Sequence, residues 1–294
     1  MEARVPIEKT YKLFIKGEFV RSESGRSYHA NDALTGGVTN VSRASRKDAR
    51  DAVLATKAGH HGWAAKTAYL RGQVLYRLAE VMEGRRGELA DARRAAGVSE
   101  ADAQREVDAA IDRVVHYAGW SDKVHAVLST YNPVAGPHYD VTTPEPTGVV
   151  GVVAPDGALP VLLALVSTVL PVIVTGNGAL VLAAETDPRT AIVWCECLAT
   201  SDLPAGVVNV LTGQRAEVLP HLAKHMDVQA LDLWRGGTVD AALATEAARA
   251  GADNVKRVKV RDASDVDWTS DAAQGLSWIE PWLELKTVWH PVGL

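Results

Sequence analysis

Apolar and polar positions along the chain change their period partway through. Between residues 45 and 126 the apolar positions recur at helical spacing. Ser45–Ala58 opens with Ser45 as an N-cap and Asp48 three residues on, and Ala49, Ala52, Val53 and Ala55 form its apolar side. Ala68–Glu83 repeats the pattern through Leu70, Val74, Leu75, Leu78 and Val81, and a shorter Arg/Ala-rich helix follows over Arg85–Ala96. Glu100–Ala126 predicts a long helix with Val107, Ile111, Val114 or Val115, and Ala118 facing inward. Ahead of these helices, Leu13–Val20 (LFIKGEFV) predicts a hairpin turning at Lys16-Gly17.

Beyond Pro137 the period shortens to that of strands. Pro137–Ala154 holds two extended runs, HYDVTT and GVVGVVA, around the turn PEPTG, and predicts a hairpin over about His138–Val153. Strands and helices then alternate: strands at Val149–Ala154, Ala179–Ala183, Val207–Leu211, Ala230–Leu233 and Val255–Val260, helices at Leu159–Thr175, Thr190–Thr200, Ala216–Lys224 and Val239–Arg249. Strands apolar at every position, joined by helical crossovers, imply a parallel sheet covered on both faces. Asp262–Asp271 is acidic and polar, Trp278–Leu285 predicts a short helix, and KTVWHP at Lys286–Pro291 predicts a lone strand that needs an edge to pair with.

Composition narrows the function classes. With 47% hydrophobic and 23% charged residues, 294 residues can bury a sizeable core as one large or two modest domains. A net charge of −5 offers no basic footprint, so nucleic acid is not an expected partner. Leu159–Thr175 is interrupted by Pro160 and Pro171 and closed by Gly176-Asn177-Gly178, which fits a buried crossover helix rather than a membrane span. The opening MEARVPIEKTYKLFIKG lacks the apolar run of a secretory signal. Two cysteines, Cys195 and Cys197, form no disulfide framework and fit a reducing, cytoplasmic setting.

Taken in order, LFIKGEFV, HYAGWSDKV (His116–Val124), GVVGVVAPDGALPVL, VTGNGALVLAAETDP, LPAGVVNVLTG and KTVWHP resemble the aldehyde dehydrogenase superfamily over nearly the whole chain. DVQALDLW, AGADNVKRV and the jump to ELKTVWHPVG are similar to the truncated, non-catalytic C-terminal module of the family-16 aldehyde dehydrogenases. The resemblance implies a Rossmann-like α/β dinucleotide-binding domain at 1–136 and 149–261. Residues 137–148 and 262–294 would then be an oligomerisation arm and tail, built from a β-hairpin and the C-terminal strand, with the catalytic domain absent. It further implies assembly with an identical chain or with a full-length, active aldehyde dehydrogenase, as a structural or regulatory subunit. The alternative is an NAD(P)-dependent oxidoreductase component whose catalytic cysteine comes from a partner chain.

Aldehyde oxidation by such a route needs a thiolate nucleophile, donors for the oxyanion and a base. Cys195 and Cys197 sit in a helical segment (WCECLA) away from the family's nucleophile position, so no catalytic residue is assigned. After Pro155, Asp156 and Gly157 stand where the family has Trp and its oxyanion Asn, and Leu182 stands where it has a ribose-contacting Lys. Glu185 matches the family's ribose-contacting Glu. The turn Trp234-Arg235-Gly236-Gly237-Thr238 replaces its pyrophosphate turn, leaving Glu185, Gly236 and Gly237 as relict cofactor contacts. NAD is therefore a possible ligand and not an expected one; Arg235 could pair with phosphate, or Trp234 and Arg235 could fill the cleft. His221 and His225 lie four apart but lack the zinc-protease Glu and a third ligand, so no metal is assigned. Trp268, Trp278, Trp282 and Trp289 read equally as tail core or as interface anchors.

Overall fold

Strands with no polar face cannot rest at a surface, and the computed structural model, which describes residues 9–292, buries them on both sides. From the amino terminus run β1 (Thr10–Tyr11), β2 (Leu13–Ile15), β3 (Glu18–Val20), β4 (Ser27–Asp32) and β5 (Gly37–Ser42). Helices α1 (Arg46–Ala64), α2 (Ala68–Gly84), α3 (Arg86–Ala95), α4 (Glu100–Trp120) and the short α5 (Val124–Leu128) follow. Next come β6 (Thr130–Asn132), β7 (His138–Pro146), β8 (Val149–Val153), α6 (Val161–Ile173), β9 (Gly178–Leu182), α7 (Pro188–Thr200) and β10 (Val208–Leu211). The chain continues through α8 (Arg215–Lys224), β11 (Ala230–Arg235), α9 (Ala241–Ala252), β12 (Arg257–Asp262), α10 (Leu276–Ile279) and β13 (Leu283–Pro291).

The central sheet has seven strands in the order β12-β11-β8-β9-β10-β2-β3. Its first five are parallel, and the β2–β3 hairpin joins antiparallel to β10 through Val210 and Phe14. Lys16 and Gly17 take positive φ (56° and 79°), the turn geometry that matches strand twist in a two-residue hairpin. Alternation along each strand divides the core between two layers. Val150, Val152, Ala179, Val181, Ala230 and Trp234 face the side of α2, α4, α6 and α7, whereas Val149, Val153, Leu180, Leu182, Leu231 and Leu233 face α1, α8 and α9.

The expected capping box of the first long helix is present: Asp48 N donates to Ser45 Oγ at 3.2 Å and Ser45 N to Asp48 Oδ2 at 2.8 Å. That helix runs on to Ala64, and the one expected over Glu100–Ala126 breaks at Ser121, whose hydroxyl bonds back to Ala118 O. The β4–β5 hairpin has no counterpart in the sequence reading.

Two expectations about the arm are corrected. The hairpin expected over His138–Val153 does not form, because β8 is in the central sheet while β7 pairs with β6 on one side and β13 on the other. The terminal strand starts at Leu283 rather than Lys286, since α10 and a 3-10 turn end at Trp282. The tail also divides. Residues 263–282 pack on the domain: Trp268, Ala273, Trp278, Ile279 and Trp282 are buried in the same layer as α6. Arg113 of α4 donates to Trp268 O at 2.9 Å and Ala273 O at 2.5 Å.

Candidate functional site: a crevice filled from within

Strand order makes β8 the point where the chain reverses direction across the sheet. It proceeds to β9 and β10 on one side and returns to β11 and β12 on the other. In open parallel sheets ligands bind outside the carboxyl ends of the strands at such a point. The residues that meet there are Ala154–Gly157 after β8, Ala183–Thr186 after β9, Arg215 at the start of α8, and Gly236-Gly237 after β11.

An internal ion pair occupies the place. Arg215 is almost fully buried (1%), with Nε donating to Ala183 O at 3.0 Å and Nη2 to Ala154 O at 2.6 Å. Its guanidinium thus satisfies two carbonyls just past the strand ends. Nη1 points toward Asp156 Oδ2 at 3.6 Å and has no hydrogen-bond partner. Asp156 is equally buried (2%). Its carboxylate accepts from Gly157 N at 2.9 Å, Glu185 N at 3.0 Å and the Thr186 hydroxyl. Burial pulls the Arg215 pKa down, opposed by the negative charges of Asp156 and then Glu185. The Tyr28 hydroxyl, buried and unpaired, lies close enough to feel Glu185; burial first, then that charge, raises its pKa.

Each residue expected to contact a cofactor has another occupation. Glu185 Oε2 accepts from Arg215 N at 3.0 Å, so it caps α8, which begins after a Gln214 without a side-chain cap. Gly236 and Gly237 (φ 126° and 56°) form a tight turn closed by reciprocal bonds with Val239 at 3.1 Å. A Cβ on Gly237 would lie 2.6 Å from Asp156 Cγ, so the glycine is required by the carboxylate beneath it. The following helix is capped by its own acid, Asp240, whose Oδ1 accepts from Leu243 N at 2.8 Å. One guanidinium faces two carboxylates, the glycine cradle is filled, and the helix end is closed. These residues do not fit a dinucleotide pyrophosphate in the manner the sequence resemblance implies.

Neighbouring candidates resolve in the same direction. Leu182 ends β9 inside the core, and Arg235 pairs with Asp262 at 3.0 Å. Trp234 does not fill the cleft. It lies on the opposite layer, stacked on Trp278 at 5.7 Å and tilted against Trp268 at 5.1 Å, with the Arg261 guanidinium 4.2 Å above its ring. Trp268, Trp278 and Trp282 are therefore core residues, whereas Trp289 stands 59% exposed on β13. Both cysteines are buried: burial lifts the Cys195 thiol far above its ordinary value and pushes Cys197 up to about 12. Such thiols are poor nucleophiles. His221 is exposed near the end of α8, and His225 lies beyond the helix, its Nδ1 accepting from Asp227 N, so the two do not share a helix face.

Sequence reasoning missed a buried charge network at the mouth of α6. Arg93 joins Glu106 at 2.8 Å and also Asp187, while Glu106 Oε1 accepts from Leu162 N at 2.7 Å and so caps α6 from another helix. Burial raises the Glu106 pKa, with Arg93 opposing. Asp187 in turn caps α7 through Thr190 N and its hydroxyl. A cleft of about 810 Å³ opens beside this network, bounded by Arg93, Glu106, Leu159 and Thr269. Among the described residues no group of three or more His, Cys, Asp or Glu is placed to hold a metal ion, and no helix is long and apolar enough to cross a membrane.

The strand order and crossovers define a dinucleotide-binding-type α/β fold with the connectivity of a Rossmann domain. Residues 19–261 match the aldehyde dehydrogenase family, and the chain belongs to that family. It is 32% identical over 233 residues to cytosolic 10-formyltetrahydrofolate dehydrogenase of Mus musculus, covering 77% of this chain and 26% of that protein. It is likewise 32% identical over 232 residues to the mitochondrial benzaldehyde dehydrogenase of Antirrhinum majus, covering 77% and 42%. An aldehyde dehydrogenase from Bacillus cereus, solved as its NAD+ complex, superposes with a TM-score of 0.79 at 24% identity over 86% of this chain and 51% of its own. The chain thus spans about half or less of the length of these relatives. Residues 263–282 alone connect β12 to β13, so no further domain stands between those two strands.

Proposed function

We propose that this chain is a non-catalytic aldehyde dehydrogenase family subunit with a structural or regulatory role. It assembles through the β13-β7-β6 arm with a second copy or with an active aldehyde dehydrogenase. The observation that carries this reading is a contrast between two parts of the molecule. The crevice is closed by Asp156 and Arg215, whereas β13 pairs on one side only among the described residues and is exposed at every position after Leu283. Such an edge, carrying Leu285, Val288 and Trp289, offers a row of free backbone groups and apolar side chains to another strand. The resemblance to the truncated family-16 module supports the same view. Dinucleotide binding is not part of this function.

The alternative, a nucleotide-binding component completed by a partner's cysteine domain, requires an open crevice and a free α6 face. Asp156 closes the first, and Trp268, Trp278 and Trp282 cover the second.

Sedimentation velocity and native mass spectrometry test the proposal, with the chain alone and mixed with an active family member. A dimer or mixed complex that Val288→Lys with Trp289→Lys dissolves is the expected result. A strictly monomeric chain that also ignores the dehydrogenase, or aldehyde oxidation by the chain alone, refutes it.

A further inference from the structure

The Asp156 carboxylate is surrounded as a bound anion would be. Two backbone N–H groups (Gly157, Glu185) and the Thr186 hydroxyl donate to it, and the Arg215 guanidinium lies 3.6 Å away. Gly237, itself exposed, presses on its other side: a Cβ there would lie 2.6 Å from Asp156 Cγ. Arg215 Nη1 is buried without a partner and aimed into this cradle. An arginine so placed is mismatched to a single carboxylate oxygen at that distance. A tetrahedral oxyanion, which presents more acceptor atoms, would engage both the guanidinium and the two N–H groups.

We propose that the crevice is a latent phosphate-binding cradle and that Asp156 is a built-in anion occupying it. The protein's own carboxylate supplies the charge that Arg215 needs, and excludes the phosphate of any free or nucleotide-borne ligand. The chain is thereby held in the arrangement of a loaded domain without a ligand. This inference rests on the reading of the chain as a non-binding subunit, and it assigns the residue that prevents binding.

Removing the carboxylate should create a ligand requirement. Asp156→Ala vacates the cradle and takes from the buried Arg215 the carboxylate its Nη1 faces, leaving only the more distant charge of Glu185, a destabilised state that an added anion relieves by mass action. Thermal unfolding is followed in inorganic phosphate, acetate and chloride at matched ionic strength, with NAD as a second probe that separates nucleotide phosphate from free phosphate. Expected is a phosphate-dependent rise in the Tm of Asp156→Ala, with an apparent Kd roughly tenfold or more tighter than for the wild type. The double variant Asp156→Ala with Arg215→Met, which removes both charges, should show no such rise. If Asp156→Ala folds only in phosphate, recovery of refolded protein reads the same effect.

An equal phosphate response in the wild type, a response to acetate alone, a response that survives Arg215→Met, or an Asp156→Ala chain unfolded in phosphate and chloride alike each overturns the proposal. NAD binding by Asp156→Ala extends the cradle to nucleotides; phosphate binding without it limits the cradle to the free anion. The arm joins the amino-terminal end of β8 through β7 while the crevice lies at its carboxyl end, so assembly of the wild type tests the subunit reading separately.

Discussion

Replacing Trp268 by Ala asks whether residues 263–282 are part of the domain or an appendage to it. The indole is 3% exposed, sits 5.1 Å from Trp234 and 6.0 Å from Trp278, and donates through Nε1 to Ala263 O at 3.2 Å. Truncating a buried Trp costs about 3–5 kcal/mol in transfer and cavity terms. At about 2 °C per kcal/mol for a chain of this size, Tm should fall by roughly 6–10 °C. The effect should also spread, because Arg113 ties the segment to α4 and Asn177 Nδ2, just before β9, donates to Trp282 O at 2.8 Å. The matched control is Trp289→Ala, the same truncation on an exposed strand, expected to stay within about 0.5 kcal/mol in the monomer. Calorimetry with limited proteolysis of both variants is the assay. A Trp268→Ala protein with an unchanged Tm, cleaved only between residues 263 and 282, would show the tail to be dispensable and refute the reasoning.

Further outcomes follow from the same contacts. Glu185→Ala removes the cap on α8 and should cost about 0.5–2 kcal/mol in urea unfolding; if stability is unchanged, Glu185 has no capping role. Arg93→Met leaves Glu106 and Asp187 buried without their cation and should destabilise by about 3–5 kcal/mol; a neutral result would mean the pairing is incidental. His116 Nε2 accepts from Trp120 Nε1 at 3.0 Å, and burial, then Arg113, holds its pKa below the usual value. The unfolded chain therefore takes up this proton first, so stability falls as pH drops through about 6.5 toward the lower folded value. His116→Gln should flatten that slope relative to wild type in pH-dependent denaturation, and identical slopes exclude His116 as a contributor.

The parallel layer from Val149 onward was legible because its strands carry no polar face, a pattern with few structural solutions. The Ser45 cap was legible because its partner Asp48 is local. The β4–β5 hairpin escaped notice because SYHAND and GVTNVS bury only a few side chains and so lack a clear apolar alternation. PEPTG looked like a hairpin turn between neighbouring runs, but β7 takes partners from Thr130–Asn132 and from the far end of the chain. At the crevice, Gly157 and Leu182 showed in sequence what had been replaced. What replaced it did not show, since Asp156 meets Arg215 only after two strands and two helices have folded. Arg93 and Glu106 were equally hidden, as buried partners on separate helices.

The position of β2 in the central sheet has a consequence for how the chain is made. Phe14 pairs with Val210, so the hairpin emerges from the ribosome long before the strand that receives it. At about 5–20 residues per second, that interval is roughly 10–40 s. Throughout it, the hairpin has α1 to pack on through Leu13 but no strand to pair with. The nascent hairpin thus waits for its partner strand with one edge unpaired, open to any other strand it meets.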